Sequence, residues 1–104
     1  MSKLSILLIE DNHTIAQQLC EYLEGLTWVV DWASTGKQGI ELAIEQNFDV
    51  ILLDLNLPDI DGLGVLRKAK ETWPDTAVLM ITAYASTETA VEAMKQGALD
   101  YITK

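Results

Sequence analysis

Basic residues are scarce in this sequence: seven Lys and Arg stand against sixteen Asp and Glu, for a formal charge of -9. That deficit excludes direct contact with the phosphate backbone of nucleic acids or with an anionic membrane, since both reward Lys and Arg clusters. Positively charged ions and partners are favoured instead. Cysteine is almost missing. The single Cys20 cannot form an internal disulfide. No run approaches the ~18 consecutive apolar residues of a membrane-spanning helix. The N-terminus lacks the charged-then-apolar pattern of a secretory signal, so a cytoplasmic protein is expected. No repeat, linker or low-complexity segment interrupts the chain. What remains is 104 residues, 49% of them hydrophobic, which is enough for the core of one small domain with a thin stability margin.

The apolar residues alternate between two patterns. Short runs bounded by turn signals, at Leu4–Ile9, Trp28–Ala33, Val50–Leu53, Ala77–Ile81 and Tyr101–Ile102, read as five strands. Four helices fill the stretches between them. In the first, Ile15, Leu19, Tyr22, Leu23 and Leu26 recur at helical spacing and are expected on one buried face. The second opens at Thr35, with Gln38 placed to form a capping box, and continues through Ile40, Ala43 and Ile44. The third carries Leu63, Leu66, Ala69 and Trp73 and stops at Pro74. The fourth begins after Ser86 and carries Ala90, Val91, Ala93 and Met94, with Gly97 as its C-terminal glycine.

Strands alternating with helices imply an α/β fold: a doubly wound parallel sheet with right-handed crossovers and helices on both faces. The run VILLDL (Val50–Leu55) is continuously apolar, as a central strand covered on both faces should be. In such sheets functional groups collect beyond the carboxyl ends of the strands. Here those ends carry Glu10 and Asp11, then Asp54, then Thr82, then Lys104. Two unit charges ~4 Å apart repel by ~4 kcal/mol at an effective dielectric of ~20, so three carboxylates on one rim call for a counter-charge. A divalent cation supplies it. Mg²⁺ prefers hard oxygen ligands, a few waters and often a phosphoryl oxygen.

Glu10-Asp11, DLNLPDIDG around Asp54, ITAYAS with Thr82, and GALDYITK ending at Lys104 together resemble the receiver domain of two-component response regulators. The resemblance covers essentially the whole chain, 1–104, as one receiver domain. Within that family, AYASTETAVEAMKQGALDYITK is most similar to receivers of alternative-sigma-factor activators. The resemblance implies a flavodoxin-like strand order 2-1-3-4-5. It implies that Asp54 is a phosphoacceptor, taking a phosphoryl group from a sensor histidine kinase or phosphotransfer protein. It also implies that Asp11, Asp54 and the backbone carbonyl of Asn56 hold Mg²⁺, with Glu10 reaching it through water. Lys104, the Thr82 hydroxyl and the Ala83 N–H would bind the phosphoryl oxygens, and Tyr101 would be the switch aromatic that responds to Thr82. Such a protein is a signalling switch whose self-phosphorylation and autodephosphorylation depend on Mg²⁺, not an enzyme with an external turnover substrate. It would control an output domain or partner, and the output domain is expected to be absent from this chain. The family continues past the lysine with a proline and a final helix. A chain ending at Lys104 is therefore expected to leave the sheet face beside the first helix half covered, and so to self-associate, rearrange or fold marginally.

Simpler readings compete for single residues. Glu-Asp after a strand can be a helix N-terminal cap, DLNLPDIDG is a good turn sequence, and Thr82 and Tyr101 can be ordinary strand residues. Jointly these are improbable. His13 is expected exposed in the first turn of a helix, and Cys20, Trp28, Trp32 and Trp73 are read as packing residues. A haloacid-dehalogenase-like phosphatase wants a second Asp where this chain has Asn56. A flavodoxin-like flavin site wants a hydroxyl- and glycine-rich loop where this chain has Glu10, Asp11 and Asn12, and those carboxylates would repel a flavin phosphate.

Overall fold

In the computed structural model, residues 4–55, 57–82 and 87–103 are described, Thr87 and Thr103 as backbone only. Strand and helix alternate through β1 (Ser5–Ile9), α1 (His13–Gly25), β2 (Val29–Ala33), α2 (Gly36–Glu45), β3 (Val50–Asp54), α3 (Gly62–Thr72), β4 (Ala77–Thr82), α4 (Thr87–Lys95) and β5 (Asp100–Thr103). All strand pairs are parallel, in the order β2-β1-β3-β4-β5. Ile9 is in register with Leu53, and Asp54 with Ile81, so the carboxyl ends of the three central strands meet at one rim.

Successive strand residues face opposite sides of the sheet. Leu7, Ile9, Ile51, Leu53, Val78 and Met80 join Ala43, Val65, Leu66, Ala69 and Ala93 in the larger core, under α2, α3 and α4. Leu8 and Ile81 pack with Ala16, Leu19 and Cys20 of α1 on the other side, where Leu52 is only half-buried.

The elements stand where the periodicity predicts, but several helices are rotated from the expected face. Tyr22 of α1 is 65% exposed and Ile44 of α2 66% exposed, and Leu26, Val91 and Met94 also face solvent. Ala43 and Ala93 are buried as expected, and Ala16 and Gly39, which the apolar spacing does not mark, are buried as well. A Cβ at Gly39 would collide with the side chain of Ile9, so α2 lies against β1 at a distance only glycine permits.

Helix termini follow local chemistry. Thr35 caps α2 through Gln38 N–H at 3.1 Å, while Gln38 Oε1 accepts from Ser34 N–H, one residue before the expected box partner. Gly97, at φ 103°, ends α4: Gly97 N–H donates to Met94 O and Ala98 N–H to Ala93 O, the paired bonds of a Schellman motif. The same pair closes α1, where Thr27 N–H donates to Glu24 O and Trp28 N–H to Leu23 O. There the left-handed position is held by the β-branched Thr27 at φ 68°. A left-handed non-glycine residue costs ~1–2 kcal/mol, partly offset by the greater freedom of glycine in the unfolded chain. Thr27→Gly should therefore stabilise the domain by ~0.5–1 kcal/mol in urea denaturation. A destabilised variant would show that the Thr27 side chain contributes more than its backbone costs.

Candidate functional site

β1 and β3 each run out of the apolar core directly into a carboxylate. Glu10 follows Ile9 and is fully buried, Asp54 ends β3 at 3% exposure, and Asp11 lies exposed beside them. One carboxylate oxygen from each of the three lies within 4.8 Å of the other two. At that spacing and an effective dielectric of ~20, the two buried groups, Glu10 and Asp54, repel by ~3.5 kcal/mol when both are ionised, and the exposed Asp11 adds less because solvent screens it. Such a cluster needs positive charge close by. The cluster is also not a helix cap, because Asn12 does that work: its Oδ1 accepts from Ile15 N–H at 3.0 Å.

The surrounding backbone holds these groups in place. Glu10 N–H donates to Ala33 O, Asn12 N–H to Glu10 Oε2 at 3.2 Å, and the Trp32 indole N–H to Glu10 O at 2.8 Å. Trp32 also meets the exposed His13 edge-on, with ring centroids 4.8 Å apart. Trp32 thus does more than the packing expected of it. The indole N–H of a half-buried Trp needs a partner, and that need was the available signal. His13 is the first, exposed residue of α1, as expected.

Thr82 ends β4, fully buried, one step past the residue in register with Asp54. Tyr101 on β5 lies opposite Met80, so it shares a sheet face with Thr82, and its hydroxyl shares a hydrogen bond with Thr89 Oγ1 at 3.1 Å. Glu10, Asp11, Asp54 and Thr82 thus meet at the rim the sequence indicated. Asn56, Ala83 and Lys104 lie outside the described residues.

The loop leaving β3 carries a residue the sequence reading passed over. Asp59 Oδ1 accepts from Gly36 N–H and Oδ2 from Lys37 N–H, both at 2.9 Å, filling the N-terminus of α2. The bond from Lys37 N–H leads in holding the Asp59 pKa below the usual carboxylate value of 3.8, with that from Gly36 adding to it. A carboxyl group whose pKa is lower folded than unfolded contributes stability that is present above the unfolded value and lost as pH falls through the folded one. Asp59→Asn should accordingly flatten the decline of stability below about pH 4. Superimposable acid limbs for variant and parent would refute this tie.

A family model described as the response regulator receiver domain matches residues 6–104. The chain belongs to that family. It is 41% identical over 101 residues to the transcriptional regulatory protein ZraR of Escherichia coli strain K12, covering 97% of this chain and 23% of ZraR. The chain thus spans about a quarter of that relative. A response regulator receiver domain protein (CheY-like) from Methanospirillum hungatei JF-1 has the same fold at a TM-score of 0.95 and 33% identity, over 99% of this chain and 82% of that one. A response regulator from Burkholderia pseudomallei, solved with a phosphorylated aspartic acid, a calcium ion and citrate, has a TM-score of 0.93 and 34% identity, over 98% of this chain and 60% of that one. The receiver fold, its signalling class and the transcription-regulator kinship expected from the motifs all stand. No helix among the described residues is long and apolar enough to cross a membrane.

Proposed function

We propose that this receiver domain, residues 1–104, is a cytoplasmic phosphoacceptor switch in which Asp54 takes a phosphoryl group in a Mg²⁺-dependent reaction. The observation that carries the proposal is the convergence of Glu10, Asp11 and Asp54 at the rim beside Thr82. The donor set fits the cation: hard carboxylate oxygens within 4.8 Å of one another match an ion with bonds of ~2.1 Å, one carboxylate acting through water. Asp11, Asp54 and the Asn56 carbonyl would hold Mg²⁺ directly, and Glu10 would orient a bound water. When bound, the ion neutralises the cluster and the charge that develops on the phosphoryl oxygens.

The chain's own part follows from placement. A carboxylate oxygen of Asp54 attacks phosphorus in line with the leaving group, the bond from phosphorus to the donor nitrogen or oxygen breaks, and an acyl phosphate remains on Asp54. Lys104, the Thr82 hydroxyl and the Ala83 N–H would receive the phosphoryl oxygens. Hydrolysis of the acyl phosphate returns Asp54 to its carboxylate and resets the switch. Tyr101, on the sheet face of Thr82, would report the change to α4 and β5. A sensor histidine kinase or phosphotransfer protein would be the donor, and an output domain the recipient of the signal. The identity with ZraR supports an output of the alternative-sigma-factor-activator kind. The test is incubation with acetyl phosphate with and without Mg²⁺: mass spectrometry should find one added phosphoryl group only with the metal. An unmodified chain under both conditions would refute the proposal.

A further inference from the structure

β1 ends at Ile9, and the turn that follows, from Glu10 to Asn12, carries two of the three rim carboxylates before α1 begins. Asp54 is fixed differently, as the last residue of a strand with a neighbour on each side. The bond from Glu10 N–H to Ala33 O continues the β1–β2 ladder one step past Ile9. Glu10 O then accepts from a side chain, the Trp32 indole N–H, at 2.8 Å. Trp32 lies opposite Leu8, so its indole reaches two residues forward along β1. The same ring meets the His13 ring edge-on, with centroids 4.8 Å apart. Trp32 therefore touches the chain on both sides of Asp11, one residue before it and two after. Packing with Leu8, Ala16 and Ile81 sets the position of the indole itself.

From this bracket we infer that Trp32 is a positioning residue for the metal site: it holds the turn so that the Glu10 and Asp11 carboxylates stand within reach of Asp54 before a cation arrives. The inference rests on the proposed function above. The arrangement it fixes is the cluster whose oxygens lie within 4.8 Å of one another. Like charges so close push apart, and a turn free to move would open. The bond to Glu10 O opposes that opening without adding charge. Mg²⁺ demands near-octahedral oxygens at ~2.1 Å, and ligands held ready do not have to be ordered on binding. Partners that orient ligands without touching the metal typically change affinity by ~10–100-fold, and one neutral bond to a backbone carbonyl belongs at the lower end, about tenfold.

Calorimetric Mg²⁺ titration of the full chain tests this. Replacing Trp32 by benzothienylalanine puts sulfur where the N–H stands and keeps the bicyclic shape. The Mg²⁺ midpoint should rise about tenfold in that chain and in Trp32→Phe. Val30→Ala removes packing from the same strand and the same apolar cluster without touching the turn, so it should lower thermal stability yet leave the midpoint unchanged. In nitrogen-edited NMR spectra of the parent, the Trp32 indole signal should move as Mg²⁺ is added, while that of Trp73, which caps the far end of α3, stays in place. Phosphorylation of Trp32→Phe should approach that of the parent at saturating Mg²⁺, since Asp54 is intact. A parent-like midpoint in the benzothienylalanine chain, an equal shift in Val30→Ala, or a Trp32 indole signal indifferent to bound Mg²⁺ would overturn the inference and leave the proposed function standing. A parent chain with no saturable Mg²⁺ response would overturn both.

Discussion

Asp54→Asn should abolish the Mg²⁺-dependent gain of a phosphoryl group altogether. An amide oxygen is a poor nucleophile, and the replacement keeps the shape of a side chain that is 3% exposed. Loss of modification in a folded variant therefore isolates the chemistry from the fold. Neighbouring carboxylates offer no easy substitute, because Glu10 is fully buried and Asp11 follows β1, whereas Asp54 ends the strand paired with β4, which itself ends at Thr82. The label on the parent should be cleaved by hydroxylamine, as an acyl phosphate is and a serine or threonine phosphate ester is not. An unchanged mass increase in Asp54→Asn would move the nucleophile elsewhere and defeat the assignment.

How much of this was legible beforehand depended on whether the signal was local. Strand positions follow from short apolar runs, and a parallel sheet with helical crossovers brings the ends of such runs to one rim, so the sequence alone gathers Glu10, Asp11, Asp54 and Thr82. Helix faces were less legible. A repeat of three and four fixes which residues share a stripe but not how closely the stripe approaches the sheet. Where α2 lies against Ile9, glycine and alanine win the contact and Ile44 is left outside, although hydropathy alone ranks it first. The same holds for Met94 and Val91 beside the fully buried Ala93. Asp59 was invisible for a different reason: its partners lie more than twenty positions earlier, at Gly36 and Lys37, and nothing in a turn-rich PDIDG sequence distinguishes a turn former from a carboxylate that caps a distant helix. Trp32, whose indole bonds Glu10 O across two strands, was hidden in the same way.

Magnesium should raise the melting temperature of the domain, and Asp11→Ala should remove most of that rise. An ion that binds only the folded state adds RT ln(1 + [L]/Kd), ~2.7 kcal/mol at a hundredfold excess over Kd. For a chain of this size 1 kcal/mol moves the transition by ~4–8 °C, so a shift of ~10–20 °C is expected at saturation. Asp11 is the informative position because it is exposed while Glu10 and Asp54 are buried. Its truncation leaves no cavity and deletes one of the proposed ligands. It also relieves like-charge repulsion in the metal-free state, by no more than ~1 kcal/mol for a group so open to solvent. The signs therefore oppose each other: without Mg²⁺ the variant should be as stable as the parent or slightly more so, and with Mg²⁺ clearly less. Differential scanning fluorimetry across a Mg²⁺ series, at constant ionic strength to separate binding from screening, reads both arms. Equal Mg²⁺ shifts in parent and Asp11→Ala would place the cation somewhere other than this rim. A metal-free variant much less stable than its parent would mean that Asp11 supports the fold instead of straining it.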